Sequence, residues 1–274
     1  MNKDKRKAIE CIVDTTIVSF AQGLYSRYSG ELEDPRGVIN MKRNNCFIAE
    51  LGEEFMYYSA FVRSFDSAFG NVLENLGNQI AKLSFDVTEG IESFILEDQT
   101  HYIADILDTY KAKKKIPSVS DYGDKTWKYP RNADSLEIRY QSTDHHFYKA
   151  STNEHFLIEL KASGNLDTKK AQSEKESLLR EYYLLLNNLR NDSGAKVRIF
   201  LGTAYNMFGE GRFWHQHQVR QYFAEEELLI GRDYWNFVCD DKAGFDIIFE
   251  QYKKSAAKIR EALANIKKMY FEEQ

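Results

Sequence analysis

Two acidic residues and one lysine in the middle of the chain have the types and spacing that metal-assisted hydrolysis requires. Asp144 precedes the pair Glu159 and Lys161 in the segment TDHHFYKASTNEHFLIELKASGNLD. Two carboxylates can hold Mg²⁺ through oxygen ligands and leave coordination sites for a phosphate and a water. The metal lowers the pKa of its water, and a lysine beside it can orient that water or stabilise the transition state. These residues predict phosphodiester hydrolysis with Mg²⁺, for which Mn²⁺ would substitute.

The three side chains can act together only if a hairpin brings them to one face of a sheet. A turn within 151–154 pairs residues whose numbers sum to 305, so that Asp144 lies opposite Lys161 and His146 lies opposite Glu159. Side chains alternate along a strand, and all four would share one polar face. A three-residue turn would reverse one strand and separate them. The opposite, core-facing side is expected to carry Phe147, Phe156, Ile158 and Leu160.

The elements around this hairpin indicate the fold class. Helical spacing of apolar residues occurs in three stretches before it and in about twenty residues after it, and strand patterns occur at 134–140, 144–149, 154–161 and 197–201. The order is helix, three strands, helix, strand, with helical additions at both ends. This order predicts an α/β (α+β) domain in which a mixed sheet is flanked by helices.

The clearest break along the chain is a basic segment bracketed by Pro117 and Pro130. We expect an N-terminal helical extension over 1–63, a catalytic core over 64–205 and a C-terminal helical part over 206–274 that packs on the core. One single domain is the alternative division.

The motif residues resemble those of a known nuclease superfamily. Asp144 with Glu159-Leu160-Lys161 resembles the D…(D/E)xK motif of the PD-(D/E)xK nucleases, although Thr143 stands where the motif has proline. The element order over 64–202 resembles their αβββαβ core. The string IELKASGNLDTKKAQSEKE, with the later TAYN and EEELLIGRDYWNF, resembles type II restriction endonucleases, in particular the TdeIII-like group.

This resemblance implies a Mg²⁺-dependent hydrolase that cuts double-stranded DNA at a short palindrome such as GGNCC. A palindrome is read by a two-fold dimer, which implies a homodimer with its contact supplied by the helical ends. A cognate DNA methyltransferase is expected in the same system, because a host must protect its own sites. Two alternatives remain: a structure-specific repair or junction-resolving nuclease, and a non-enzymatic helical DNA-binding or interaction protein.

Further acidic residues compete for the metal. Nucleases of this kind often place a third carboxylate on the helix before the strands, where this chain has Glu74. A solvated helix residue is the alternative interpretation of Glu74. Glu137 is the rival of Asp144, which we prefer because it starts a strand directly before the hairpin. The adjacent His145 and His146 are interpreted as hydrogen-bonding neighbours, since zinc would need more nitrogen or sulfur ligands than this chain clusters.

Candidate DNA contacts are basic or amide side chains in three places. Lysines at the start of the helix after the motif suit phosphates, because a helix N-terminus attracts anions. Arginine and glutamine after a glycine pair suit base edges in the major groove, although ordinary helix-surface residues are the alternative in both places. The predicted DNA-binding residues are Lys169, Lys170, Arg212, Gln216, Gln218, Arg220, Lys125 and Lys128, and Lys175 extends the helix-start group.

Composition sets the outer limits of these predictions. The chain has 274 residues, of which 43% are hydrophobic, enough for a substantial core. The net charge of −5 does not indicate a nucleic-acid binder, but phosphate contacts depend on local charge. Cys11, Cys46 and Cys239 are widely spaced and lack a CxxC pair, which is typical of a reducing cytoplasm. A cytoplasmic protein without membrane spans is predicted.

Overall fold

The computed structural model describes residues 1–123, 125–131, 133 and 136–271. The chain divides into two compact units: Met1–Gln79 with the segment from Phe245 onward, and Ile80–Gly244. The domain limits predicted at 63/64 and 205/206 remain a prediction. Within the described ranges, none of the helices combines the length and apolar character that crossing a bilayer requires.

The helices are α1 (Lys3–Glu31), α2 (Cys46–Ala49), α3 (Glu53–Ala81), α4 (Glu97–Lys111), α5 (Ser120–Gly123), α6 (Thr168–Asn188), α7 (His217–Arg220), α8 (Arg232–Val238) and α9 (Gly244–Phe271). The strands are β1 (Asp86–Thr88), β2 (Ile91–Ser93), β3 (Arg139–Gln141), β4 (His145–Lys149), β5 (Glu154–Lys161), β6 (Lys196–Thr203) and β7 (Leu228–Ile230). Short 3₁₀ helices occur at Asn40–Asn44 and Glu225–Glu227.

The first unit is built on aromatic contacts among long helices. The Phe20 ring of α1 lies 5.8 Å from Phe65 and 5.6 Å from Phe69 of α3. Tyr57 of α3 lies 5.0 Å from Tyr270 of α9. The apolar residues that predict α1 from helical spacing are buried, among them Ile9, Val13, Ile17 and Leu24. Burial of one apolar stripe is what such spacing predicts.

The second unit contains a five-stranded mixed sheet with strand order β1-β4-β5-β6-β7. Strands β1, β4 and β5 pair antiparallel, whereas β5, β6 and β7 pair parallel. The predicted α/β class with a mixed sheet is confirmed. The predicted strand 134–140 is wrong in extent and place, since β3 begins at Arg139 and pairs with β2 in a separate two-stranded sheet. Residues 134 and 135 of that prediction lie outside the described residues.

Both faces of the five-stranded sheet are covered. On one face, Phe156 packs within 6.4 Å of Phe200 and within 5.0 Å of Phe237, ring to ring. On the other face, Leu157 and Leu201 belong to one buried cluster with Leu178 of α6. The strand that carries Glu159 and Lys161 is therefore central, and α6 covers the face on which Glu159 lies.

Candidate active site

The hairpin β4–β5 places the two acidic residues side by side. Lys149 pairs with Glu154 and His145 with Ile158, so residues 150–153 form the turn. Asn153 takes a positive φ of 52°, which asparagine tolerates better than most residues. Asp144 precedes His145 by one residue and therefore lies across from Glu159, not from Lys161. The predicted pairing was wrong by two residues, but an even shift keeps every side chain on its predicted face.

Asp144 is fixed at the end of β4 by the neighbouring strand. The backbone N–H of Leu160 donates a hydrogen bond of 3.0 Å to Asp144 Oδ2. This bond ties the first carboxylate to the backbone between Glu159 and Lys161. The residues Asp144, Glu159 and Lys161 are each half-buried. The site is thus partly sheltered under α6, where the sequence pattern alone predicted an open polar face.

Lys161 links carboxylates from two elements. Its Nζ contacts the carboxylate of Glu159 on its own strand and lies 3.3 Å from Glu174 Oε1 on α6. Charge-assisted contacts of this kind hold a lysine side chain in one orientation. The ammonium group therefore sits among acidic side chains from β5 and α6.

Helix α6 contributes two acidic residues that the sequence interpretation did not identify. Glu174 and Glu181 lie seven residues apart, a spacing that puts both on one side of a helix. Ser177, between them, donates a hydrogen bond of 3.2 Å to Glu181 Oε1. Glu181 is buried in the stripe that also contains Leu178. An acidic residue within the apolar stripe of an amphipathic helix is the signal that could have identified it.

The link from β5 to α6 depends on a glycine and a capping aspartate. Gly164 has φ +68°, and a Cβ there would meet side-chain atoms of Thr203 and Trp214 at 2.7 Å. Asp167 caps α6 by accepting a hydrogen bond of 2.8 Å from the Lys170 backbone N–H. The two residues set where α6 begins and hence which of its residues meet Lys161.

Burial and mutual repulsion shape the protonation of this cluster. Burial, followed by the charge of Asp144, raises the pKa of Glu159 to about 8. Burial, followed by the charge of Glu159, raises the pKa of Glu181 to about 8. Burial pulls the pKa of Lys161 down, but Glu159, Glu174 and Asp144 together raise it above its ordinary value. The cluster thus holds more acidic groups than its single lysine can neutralise.

This donor set fits a hard divalent cation. The acidic side chains of the cluster offer carboxylate oxygens, which are suitable ligands for Mg²⁺ and Mn²⁺. A cation would also relieve the repulsion that raises the pKa of Glu159 and Glu181. Among the described residues, no three His, Cys, Asp or Glu side chains already converge on one point as a finished metal site. Metal binding here would therefore require Lys161 to separate from the carboxylates of Glu159 and Glu174.

Removing one of these acids should change how stability depends on pH. Between the ordinary carboxyl pKa and about 8, the folded protein keeps protons on Glu159 and Glu181 that the unfolded chain has released. The unfolded state then binds fewer protons, so the free energy of unfolding falls as pH rises across this window. In Glu181→Gln, the decrease in melting temperature from pH 5 to pH 9 should be clearly smaller. Thermal melts in EDTA measure it.

The matched control for this measurement is Glu176→Gln. Glu176 lies on the same helix but is only partly buried, with 41% of its side chain exposed, and it pairs with Arg180 at 2.8 Å. Its replacement should leave the pH profile parallel to that of the unmodified protein. Equal slopes for the Glu181→Gln variant and the unmodified protein would contradict the assigned burial effect.

The remaining metal candidates lie elsewhere or have other partners. Glu74 is half-buried on α3, in the first unit, and its role as a metal ligand stays a prediction. Glu137 is exposed and lies 3.6 Å from Arg139. His146 Nε2 lies 3.1 Å from His155 Nδ1, and His146 Nδ1 lies 2.6 Å from the Thr88 hydroxyl. His146 therefore acts as a hydrogen-bonding neighbour, as interpreted from the sequence.

Several predicted DNA contacts are exposed. Lys169 and Lys170 lie in the first turn of α6, and Lys128, Arg212 and Gln218 are also at the surface. Lys125 is exposed, with its Nζ 4.6 Å from the centre of the Tyr102 ring and 5.6 Å from that of Trp127.

Three other basic or amide residues are engaged within the protein. Gln216 is buried, and its amide donates a 2.9 Å hydrogen bond to Asn165 Oδ1. Arg220 contacts the Glu225 carboxylate and donates to the Trp214 carbonyl at 3.0 Å. Lys175, considered above as a phosphate contact, is fully buried. These contacts give Gln216 and Arg220 a role in positioning loops and leave Lys175 out of reach of a phosphate.

A basic cleft lies beside the start of α6. It has a volume of about 590 Å³ and includes Lys113, Lys114, Lys115, Thr168 and Gln218 in its lining. The basic segment that follows α4 and the beginning of the helix after the motif are thus brought to one surface. Local positive charge of this kind suits a phosphate backbone in spite of the negative total charge.

Comparison with known proteins identifies one family. The family model described as "Type II restriction endonuclease, HinfI" matches residues 5–256, which is most of the chain. That range includes the hairpin, α6 and the basic cleft. No curated protein matches the chain.

Proposed function

Because the chain belongs to the HinfI family of type II restriction endonucleases, we propose that Asp144, Glu159 and Lys161 form its catalytic centre, with Mg²⁺ as the cofactor. Family membership makes the protein a site-specific deoxyribonuclease that binds DNA, and enzymes of this type generally use divalent metal ions. The observation that carries the proposal is the meeting of three side chains: Asp144 opposite Glu159 across the hairpin, with Lys161 in contact with Glu159.

Each residue is given a role by its surroundings. Asp144 and Glu159 hold the cation, and Asp144 is kept in place by the Leu160 N–H. Mg²⁺, when bound, supplies an acidified water and neutralises charge on the phosphate. Lys161 leaves its carboxylate partners and donates hydrogen bonds to the attacking water or to a phosphate oxygen. Glu159 binds a cation in its ionised form, so a cation and a proton compete for this carboxylate.

A third carboxylate for the cation has two sources in this chain. Glu74 is the candidate suggested by the family's helix before the strands, and Glu174 is the acid that lies 3.3 Å from the catalytic lysine. Calorimetric Mg²⁺ titration of Glu74→Gln and Glu174→Gln separates them. The ligand is the residue whose replacement weakens binding by about tenfold or more, the usual cost of a lost supporting group at a metal site.

Duplex DNA is proposed to lie along the basic cleft and the start of α6. Lys169 and Lys170 meet phosphates at the positive end of the helix dipole. Lys125 and Lys128 extend this surface. Arg212 and Gln218 are the proposed base-reading residues, whereas Gln216 and Arg220 support the loop that carries them through Asn165 and Glu225.

Neutralising the cleft should weaken DNA binding uniformly across sequences. In Lys113→Ala/Lys114→Ala, the slope of log affinity against log salt concentration is expected to become shallower by about two, one for each lost phosphate contact. Fluorescence anisotropy with a labelled duplex, in Ca²⁺ and at several salt concentrations, measures this slope. The control is Lys242→Ala, an exposed lysine after α8. A slope that does not change would place the DNA elsewhere.

Plasmid digestion tests the proposed function. Purified protein with Mg²⁺ should convert unmethylated plasmid DNA into discrete fragments, and EDTA should abolish this activity. Sequencing the fragment ends tests the site, for which the TdeIII-like likeness suggests GGNCC. A junction-resolving nuclease would leave linear duplex intact and cut branched DNA. Absence of cleavage on any unmethylated DNA would overturn the proposal.

Two partners follow from cutting a palindrome. A homodimer presents one active site to each strand. A DNA methyltransferase of the same specificity is proposed to protect the host, and methylation of the mapped site should block digestion.

A further inference from the structure

The loop between β6 and α7 presents aromatic side chains to solvent. Phe208 and Phe213 are 36% and 56% exposed. The exposed ring of His215 lies 5.5 Å from the Phe208 ring and 4.8 Å from the Phe213 ring, edge to face in both contacts. We call these three rings the aromatic cluster. Large apolar side chains gathered at a surface mark a binding site, whereas scattered ones do not.

Both ends of this loop are attached to the segment that follows the proposed catalytic lysine. At its start, the backbone N–H of Ala204 donates a hydrogen bond of 3.2 Å to the Lys161 carbonyl. At its end, the side-chain amide of Gln216 donates a hydrogen bond of 2.9 Å to Asn165 Oδ1. The aromatic cluster is therefore carried by a loop that begins and ends beside residues 161–165.

Side chains within the loop hold it in one conformation. The Asn206 amide donates to the Arg212 carbonyl at 2.7 Å, and its oxygen accepts from the Phe208 backbone N–H at 3.0 Å. The Glu210 carboxylate accepts from the backbone N–H of Asn206 at 2.9 Å and of Arg232 at 3.2 Å. The exposed rings are thus positioned before any ligand binds, which reduces the entropy lost on binding.

The charges around the aromatic cluster suit a polyanion. Residues 205–218 contain a single acid, Glu210, and both of its oxygens accept from backbone donors. Arg212 is exposed next to Phe213. Directly after the loop, His217 and Gln218 line the basic cleft. Apolar rings that are continuous with a basic surface fit a ligand with a charged exterior and an aromatic interior, which is the make-up of duplex DNA.

We propose that Phe208 and Phe213 form a wedge that enters duplex DNA and unstacks one base-pair step near the phosphate that is cut. This inference rests on the proposed function, because that function places DNA along the basic cleft and the active site. Apolar wedges of this kind separate neighbouring base pairs and kink the duplex. The cost of unstacking depends on the step, and pyrimidine–purine steps deform most easily. The wedge therefore contributes to sequence selection without a hydrogen bond to a base edge.

Fluorescent base analogues test for the unstacked step. The probe is a duplex that contains the site mapped from the fragment ends. In it, 2-aminopurine replaces one adenine or pyrrolocytosine replaces one cytosine, at each position in turn. In Ca²⁺, the unmodified protein should raise the fluorescence at two neighbouring base pairs, because unstacking relieves quenching. At saturating protein, Phe208→Ala/Phe213→Ala should leave the fluorescence of the duplex unchanged.

The matched control is Phe249→Ala. Phe249 is a phenylalanine of α9 that is 42% exposed, and its replacement should leave the fluorescence rise intact. Constant fluorescence at every position with the unmodified protein would overturn the proposal. So would a rise that persists in the double alanine variant.

A duplex that is already open at the step separates a wedge from a purely structural role of the two rings. A mismatch at that step, made by changing the base on either strand in turn, removes part of the unstacking cost. The unmodified protein should bind it about tenfold more tightly than the paired duplex. Phe208→Leu/Phe213→Leu should keep part of this preference, because leucine also enters base steps, whereas the double alanine variant should lose it. Equal affinities of the unmodified protein for both duplexes would overturn the proposal.

Failure of the wedge can be distinguished from failure of the nuclease. The wedge variants leave Asp144, Glu159 and Lys161 unchanged, so calorimetric Mg²⁺ titration should give the same affinity as for the unmodified protein. Cleavage of plasmid DNA by the unmodified protein without any unstacked step would overturn the wedge alone. Absence of cleavage on any unmethylated DNA would overturn the proposed function, and the wedge with it.

Discussion

Replacing Lys161 with alanine is expected to lower the rate of plasmid cleavage by about 10²–10³-fold, the usual effect of removing one donor to a transition-state oxyanion. Mg²⁺ binding should remain or become tighter, because the lysine now contacting Glu159 and Glu174 competes with a cation for their carboxylates. Single-turnover cleavage and calorimetric Mg²⁺ titration measure the two effects separately. Glu159→Gln, by contrast, should lose both.

The control for this prediction is Lys196→Ala. Lys196 pairs with Glu154 at one end of the parallel β5–β6 ladder, whereas Lys161 pairs with Thr203 at the other end. Lys196→Ala removes one positive charge, as Lys161→Ala does, but from an exposed position at the opposite end of the ladder from the proposed catalytic centre. The rate of cleavage should therefore be unaffected. Equal rates for Lys161→Ala and the unmodified protein would contradict the role assigned to Lys161.

Which side chains share a face could be predicted from the sequence, whereas the pairing across the hairpin could not. Side-chain alternation in β4 and β5 depends only on the period of an extended strand, and it puts Asp144, Glu159 and Lys161 together for any even shift. The register itself depends on where the turn closes. Here the turn occupies 150–153, with Asn153 in a left-handed conformation, one residue earlier than predicted.

Most of the structural features that the sequence did not predict are short strands or depend on contacts between residues far apart in the chain. Strands β1, β2 and β7 have three residues each, too few for a period to be visible. They exist because a neighbouring strand supplies hydrogen-bond partners, which is tertiary information. The same holds for Gln216, whose exposure cannot be judged without knowing that Asn165 lies 2.9 Å away.

The acidic residues of α6 illustrate the same limit within the candidate site. Spacing alone shows that Glu174 and Glu181 share one side of the helix. It does not show that this side covers the end of β5, where Lys161 reaches Glu174. Charged residues in apolar stripes are rarely buried without a partner, so their presence in a predicted core stripe is a reason to look for one.

A second large effect is expected at Lys175, a buried residue to which no DNA contact is assigned. Lys175 and Glu227 form an ion pair in which both side chains are essentially inaccessible to solvent, 0% and 1% exposed. Burial lowers the pKa of Lys175, and the pairing with Glu227 opposes that effect. Lys175→Met should reduce the free energy of unfolding by ~3–5 kcal/mol, because it leaves a buried carboxylate without its counter-charge. Urea denaturation followed by circular dichroism measures the loss.

The double variant Lys175→Met/Glu227→Gln identifies the cause of that loss. Glu227 now accepts from the Tyr122 hydroxyl and from the Ala224 backbone N–H through different oxygens. A neutral amide at 227 can accept from the Ala224 N–H and donate from its NH₂ group to the Tyr122 hydroxyl oxygen. The double variant should therefore be less destabilised than the sum of the single ones, with a coupling energy of ~1–3 kcal/mol. Lys169→Met, an exposed position on the same helix, should change stability by less than about 0.5 kcal/mol. Additive losses would mean that Lys175 stabilises α6 through the packing of its aliphatic chain, not through its charge.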